Sequence, residues 1–296
     1  MQGGNDTFTA TTLTVYSDLP LLGSNGAAQQ SIVDGEALAL YDAGGRVGFR
    51  NGKGTSELHI SLDSLNDADP KIGAWTAGTT GLSARAASSD LSSAAYIGDF
   101  DSGATFRSLP LNNEYNVLQV SPGSPYLGFT DSGPGVPANQ PEYFYPFGRR
   151  HTFARLVPSY LEEARATVGY MRSLGVRRLA LLADADDQLD AEIVPLVAAR
   201  ARAAGMAVAI RTVHGGTAAS PAGIDPRGFA GIARALAASR PDAVLYGGAA
   251  NVSAPALWLG LHTALPQAKL FAPSTLAAPA FQGALGRSAG YWSGSR

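Results

Sequence analysis

From residue 158 onward the apolar periodicity alternates between helix and strand, and that rhythm constrains the fold more than any other feature of the chain. A helix is expected from about Pro158, with Leu161, Ala164, Val168 and Met171 on one face and Gly175 closing it. Residues 178–182 then read as a strand, followed by a helix carrying Ile193, Val197 and Ala204 and a strand over 206–212. Asp225 and Pro226 supply an N-cap and a first-turn proline for a helix bearing Phe229, Ile232 and Leu236, and 243–246 is a strand running into Gly247-Gly248. A β-α-β-α order of this kind predicts an α/β fold with parallel sheets covered by helices on both faces.

The first half repeats the rhythm less cleanly. Residues 13–22 begin as a strand and break at Pro20; 29–41 has helical spacing at Ile32, Val33, Ala37, Leu40 and Tyr41, stopped by Gly44-Gly45. Residues 57–62 alternate as a strand, 79–88 reads as a helix, and 94–97 and 117–120 as strands with a helix between them. Residues 131–142 (DSGPGVPANQPE) are too rich in Pro and Gly for regular structure and read as a surface excursion, after which 143–147 resumes a strand-like run. With the change of texture at Arg149-Arg150-His151, this divides the chain into a first lobe over 1–150 and a second over 151–296. Ligands of open parallel sheets lie at the carboxyl ends of the strands, and a cleft between two lobes brings two sets of such ends together.

Composition removes several function classes. A net charge of −2, with no basic stripe, offers no electrostatic case for nucleic acid or an anionic membrane. With no cysteine, thiolate metal sites, disulfides and cysteine nucleophiles are excluded. No apolar run approaches the roughly 18 to 20 residues needed to span a bilayer, and residues 1–6 lack a signal-peptide pattern, so any export signal is expected to have been removed.

Two stretches place small polar residues after a strand: YIGDFDSGAT (96–105) and VSPGSPY (120–126). Such residues populate any turn. If a helix starts at Ser102, however, its first N–H groups have no partner inside the helix, and Ser102, Gly103, Ala104 and Thr105 leave them open to an anionic or polar ligand. LLADADDQLD (181–190) invites comparison with the Asp-x-Asp loop of Mg²⁺-dependent phosphatases, with Asp184 as nucleophile and Asp186 as acid. Gln188 stands where that loop wants a hydroxyl, and helix capping with a solvated acidic rim is the expected role. The four histidines share no metal-ligand spacing, and neither a nucleophile elbow nor a phosphate loop is present, so no catalytic group, metal or cofactor is expected.

The order of strand, LPLLGSNG, helix with VDGEALALYDAGGRVG, strand, SLDS, helix, YIGDFDSGAT, helix and VSPGSPY resembles the leucine/isoleucine/valine-binding protein family, the type I periplasmic solute-binding proteins of ABC transporters. The likeness continues through LALLADADD, RPDAVLYGGA and LFAPSTL and covers nearly the whole chain. It implies two Rossmann-like lobes that close on a small polar solute, amino acid-like or a carboxylate, and present it to a membrane permease. It also implies a monomeric, extracytoplasmic, lipid-anchored protein that is not an enzyme. The family's carboxylate-binding serine matches Ser102, acting with the backbone of Gly103 and Ala104, and its second anchoring loop matches Gly123 to Pro125, including Ser124. In the second lobe the ligand positions match Gln188, Ala249, Asn251 and Ser274, with Arg150 and Thr152 near the hinge.

Departures accompany the likeness. Pro125 replaces a hydroxyl residue, Gln188 and Ala249 replace aromatics, and Ser274 replaces the acid that pairs with a ligand ammonium, so an altered amino-acid clamp is expected. The family's chain also returns to the first lobe after a strand matching 290–292, whereas this sequence stops at Arg296; a first lobe without that segment, or a fragment, is the expectation. A ligand-sensing domain on the same fold is the alternative function, with the phosphatase a third.

Overall fold

The computed structural model describes residues 12–51, 54–146, 150–215, 226–248, 250 and 253–286. In chain order the first part runs β1 (Thr12–Asp18), α1 (Gly26–Asp42), β2 (Arg46–Asn51), β3 (Gly54–Leu65), β4 (Ala68–Asp69), β5 (Ala74–Trp75), α2 (Ala77–Ser89), β6 (Ser93–Gly98), α3 (Ser102–Glu114), β7 (Leu118–Ser121) and β8 (Phe153–Arg155). The second part runs α4 (Tyr160–Ser173), β9 (Arg178–Asp184), α5 (Ile193–Ala203), β10 (Ala207–Val213), α6 (Pro226–Ser239), β11 (Ala243–Gly247), α7 (Ala254–Ala264), β12 (Lys269–Phe271) and α8 (Pro279–Leu285).

These strands form a six-stranded sheet in the order β2-β3-β1-β6-β7-β8 and a four-stranded sheet in the order β10-β9-β11-β12, with β4 and β5 as a separate pair. All neighbours in the two larger sheets are parallel except β2 and β3. The expected α/β architecture of parallel sheets flanked by helices is therefore the observed one.

Strand β9 shows why a parallel strand reads as a continuous apolar run. Leu179 and Leu181 face the cluster of Val168, Met171, Val197 and Ala201 from α4 and α5, while Ala180 and Leu182 face Leu236, Leu257, Trp258 and Leu261 from α6 and α7. Side chains alternate across a strand, and with helices on both faces each alternate set is apolar.

Three local features differ from the sequence expectation. The glycine-rich run after α1 does more than stop a helix: 46–51 pairs antiparallel with β3, because an edge strand needs hydrogen bonds on one side only. Residues 142–144 form a single 3₁₀ turn where 143–147 was expected to be strand-like; 147–149 lie outside the described residues. Phe144 instead stacks edge-on against Phe106 and Phe129, at 5.1 and 5.0 Å between ring centres. The sheet position is taken by β8, which pairs with β7, so the first sheet reaches Arg155. The excursion at 131–142 also has a seat: Gly135 lies against Pro195 of α5, and the preceding Leu127 joins the α4–α5 core.

Candidate functional site

In the first sheet the chain moves from β1 outward to β3 and then back across to β6, so the strand order reverses between β1 and β6. The crevice at such a reversal, beyond the carboxyl ends of the strands, is where this architecture binds ligands. Asp18 ends β1 opposite Gly98 of β6, and α3 begins four residues after Gly98. Asp101 occupies the N-cap position of α3 without a side-chain cap, leaving the first-turn N–H groups unspent. Ser102 is buried at 3% exposure, and its hydroxyl has no hydrogen-bond partner. Trp75 lies over this turn: a β-carbon on Gly103 would sit 2.3 Å from its ring, so only glycine allows that approach. Trp75 escapes a sequence reading because nothing local ties the end of β5 to α3.

The second anchoring loop is differently engaged. The Ser124 hydroxyl is buried and bonded to Thr105 Oγ1 at 2.7 Å, and the Ser121 hydroxyl accepts from the Ser124 N–H at 2.9 Å and the Gly123 N–H at 3.3 Å. Phe100 packs on Gly123, where a β-carbon would meet the ring at 2.7 Å. The carbonyl of Pro125 accepts from the Tyr160 N–H at 2.9 Å, and Tyr160 Oη donates to Asp190 Oδ1 at 2.6 Å, which joins this loop to the first loop of the second sheet.

The second sheet reverses its order between β9 and β11. Gln188 is exposed in the loop after β9, and Ser274 is exposed after β12; Ala249 and Asn251, after β11, lie outside the described residues. Both the hydroxyl and the N–H of Ser274 donate to Glu163 of α4, so a carboxylate stands beside the position where the resemblance led to the loss of one. Asp184 is buried and accepts from Tyr246 Oη at 2.6 Å, the Gly215 N–H at 2.9 Å and the Asp186 N–H at 3.0 Å. Those bonds give it a loop-holding role in the interior, in place of the helix capping and solvated rim expected of this acidic run: α5 starts at Ile193 without a side-chain cap, and Asp184 and Asp190 are both buried. Arg150 and Thr152 stand apart: Asn113 Nδ2 donates to the Arg150 carbonyl at 2.7 Å and to Thr152 Oγ1 at 3.0 Å, at the opposite end of α3 from Ser102.

Acidic groups concentrate along the strand ends. Burial, then the charge of Asp187 from the other sheet, pushes Asp101 up to about 7. Burial raises Glu163 and pushes Asp190 well above the usual carboxylate range, with Asp187 adding to the latter. Around the switch point, burial raises Asp18 to about 6, Asp99 to about 8 and Asp67 to about 9; neighbouring carboxylate charges contribute to the last two.

No protein-family profile and no curated protein matches the chain. Solved structures do. A substrate-binding protein of an ABC transporter from Desulfitobacterium hafniense, in complex with Leu, superposes with a TM-score of 0.65 at 17% identity, covering 91% of this chain and 68% of its own. A leucine-binding protein from Thermotoga maritima gives a TM-score of 0.65 at 17% identity, with 93% and 67% covered. An ABC transporter solute-binding protein from R. palustris, in complex with 4-hydroxybenzoate, gives 0.66 at 13% identity, with 90% and 62% covered. The chain thus spans between 62% and 68% of the length of these three proteins. It has the type I fold of periplasmic binding proteins, and its structural neighbours are substrate-binding proteins of ABC transporters, leucine-binding proteins among them.

Proposed function

We propose that this protein is an extracytoplasmic solute-binding protein of an ABC uptake system. In this reading it acts as a lipid-anchored monomer that holds a small polar solute between the carboxyl edges of its two sheets and delivers it to a membrane permease. Binding is its whole chemistry, with no group transfer. Among the described residues, no helix is long and apolar enough to cross a membrane.

The observation that carries this reading is the first turn of α3: an uncapped helix start at the switch point, with the buried Ser102 hydroxyl unpartnered and Trp75 packed above it. Such a turn suits a carboxylate. Glu163, held by Ser274 across the site, supplies a negative group for a ligand ammonium. Together they favour an amino acid-like solute over a plain carboxylate, with an acid arriving from a different residue than in the resembling family.

A thermal-shift screen against amino acids, amides, short carboxylates, aromatic acids and sugars tests this. A ligand at about 100 times its Kd adds roughly 2.7 kcal/mol, which moves Tm by several degrees. Amino acid-like solutes are expected to give the shift, and Ser102→Trp to abolish it. Unchanged affinity in Ser102→Trp would remove α3 from the site, and no shift with any class would count against the function.

A further inference from the structure

Asp18, Asp67 and Asp99 are far apart in sequence but converge at the switch point of the first sheet. Asp18 closes β1, Asp67 precedes β4 and Asp99 follows β6. One carboxylate oxygen from each lies within 4.8 Å of the other two, and all three residues are fully buried. Among the described residues, none of the ion pairs involves any of the three.

The surrounding donors hold only part of the set. Tyr96 Oη is placed between Asp18 Oδ2, at 2.6 Å, and Asp99 Oδ1, at 2.8 Å. Ser108 Oγ and Gln119 Nε2 donate to Asp99 Oδ2, and Thr80 Oγ1 to Asp67 Oδ2 at 3.4 Å. Asp18 Oδ1 and Asp67 Oδ1 have no hydrogen-bond partner. A buried carboxylate oxygen without a donor is costly. Here two share one cluster, while the donors around them orient the remaining oxygens as outer partners orient metal ligands.

We propose that Asp18, Asp67 and Asp99 bind one hard divalent cation of the calcium or magnesium class. The ligands are all oxygen, and calcium–oxygen distances of about 2.3–2.6 Å put oxygens on opposite sides of the ion roughly 5 Å apart. The inference is independent of which solute binds. It departs from the sequence expectation of no metal, because the three acids share no spacing that a linear reading detects.

The test is calorimetric titration of the chelator-treated full chain with CaCl₂ and with MgCl₂ at pH 7.5, paired with thermal melts. The expected result is saturable binding at one site, weakened at least tenfold (about one decade in Kd) in Asp67→Asn, and a Tm increase of roughly 5 °C at saturating CaCl₂. Asp67→Asn should melt in chelator no lower than the parent, which separates lost binding from misfolding. Absence of binding to either ion at millimolar concentration, or equal binding in Asp67→Asn, would overturn the site.

Discussion

At the scale of single residues, Gly103 and Trp75 set the shape of the proposed solute site. The indole lies where any β-carbon on residue 103 would be, so Gly103→Val forces a half-buried ring to move. Overpacking of this kind costs about 1–3 kcal/mol. Urea unfolding should report that loss, and tryptophan emission should shift because Trp75 leaves its seat; an unchanged spectrum and midpoint would mean the ring does not rest there. Ser102 was legible in the sequence as a small hydroxyl residue at a helix start, since helix N-termini advertise themselves locally. Trp75, Glu163 and the three converging aspartates were not, because each meets its partners only through strands or helices distant in sequence.

At the scale of elements, the connection from the first sheet to the second is held by polar groups as well as apolar ones. Arg155, at the end of β8, donates to the Tyr126 carbonyl at 2.7 Å and to Thr130 Oγ1 at 2.8 Å. Glu192, just before α5, accepts from the Leu127 N–H at 2.8 Å, so this short stretch is gripped from both sides. Arg155→Met keeps much of the stem but leaves the Tyr126 carbonyl without that donor. The expected loss is about 1–3 kcal/mol, with faster amide hydrogen exchange at Leu127; unaltered exchange there would show that the grip lies elsewhere. Strand β8 itself was unreadable: three residues carry no periodicity, whereas the aromatic run before it mimics a strand, and its Phe144 and Tyr145 are buried in an aromatic cluster instead.

At the scale of the whole molecule, two sheets, parallel but for the β2–β3 edge pair, present their carboxyl edges, and the charge of Asp187 in the second adds to the burial that raises Asp101 in the first. If a solute bridges these edges as proposed, saturation should lower the radius of gyration measured by solution scattering; an unchanged value with full binding would place the solute on one sheet alone. What the sequence by itself determined was the succession of strands and helices and hence the α/β class, because period-2 and period-3.6 burial are local properties of the chain. The helix start at Ser102 was equally local. The order of strands, the edge pairing of 46–51, the cover of Trp75 and the meeting of Asp18, Asp67 and Asp99 were decided only by the tertiary structure. Each depends on which strands lie side by side, a choice made by the burial of whole faces and not by any one segment.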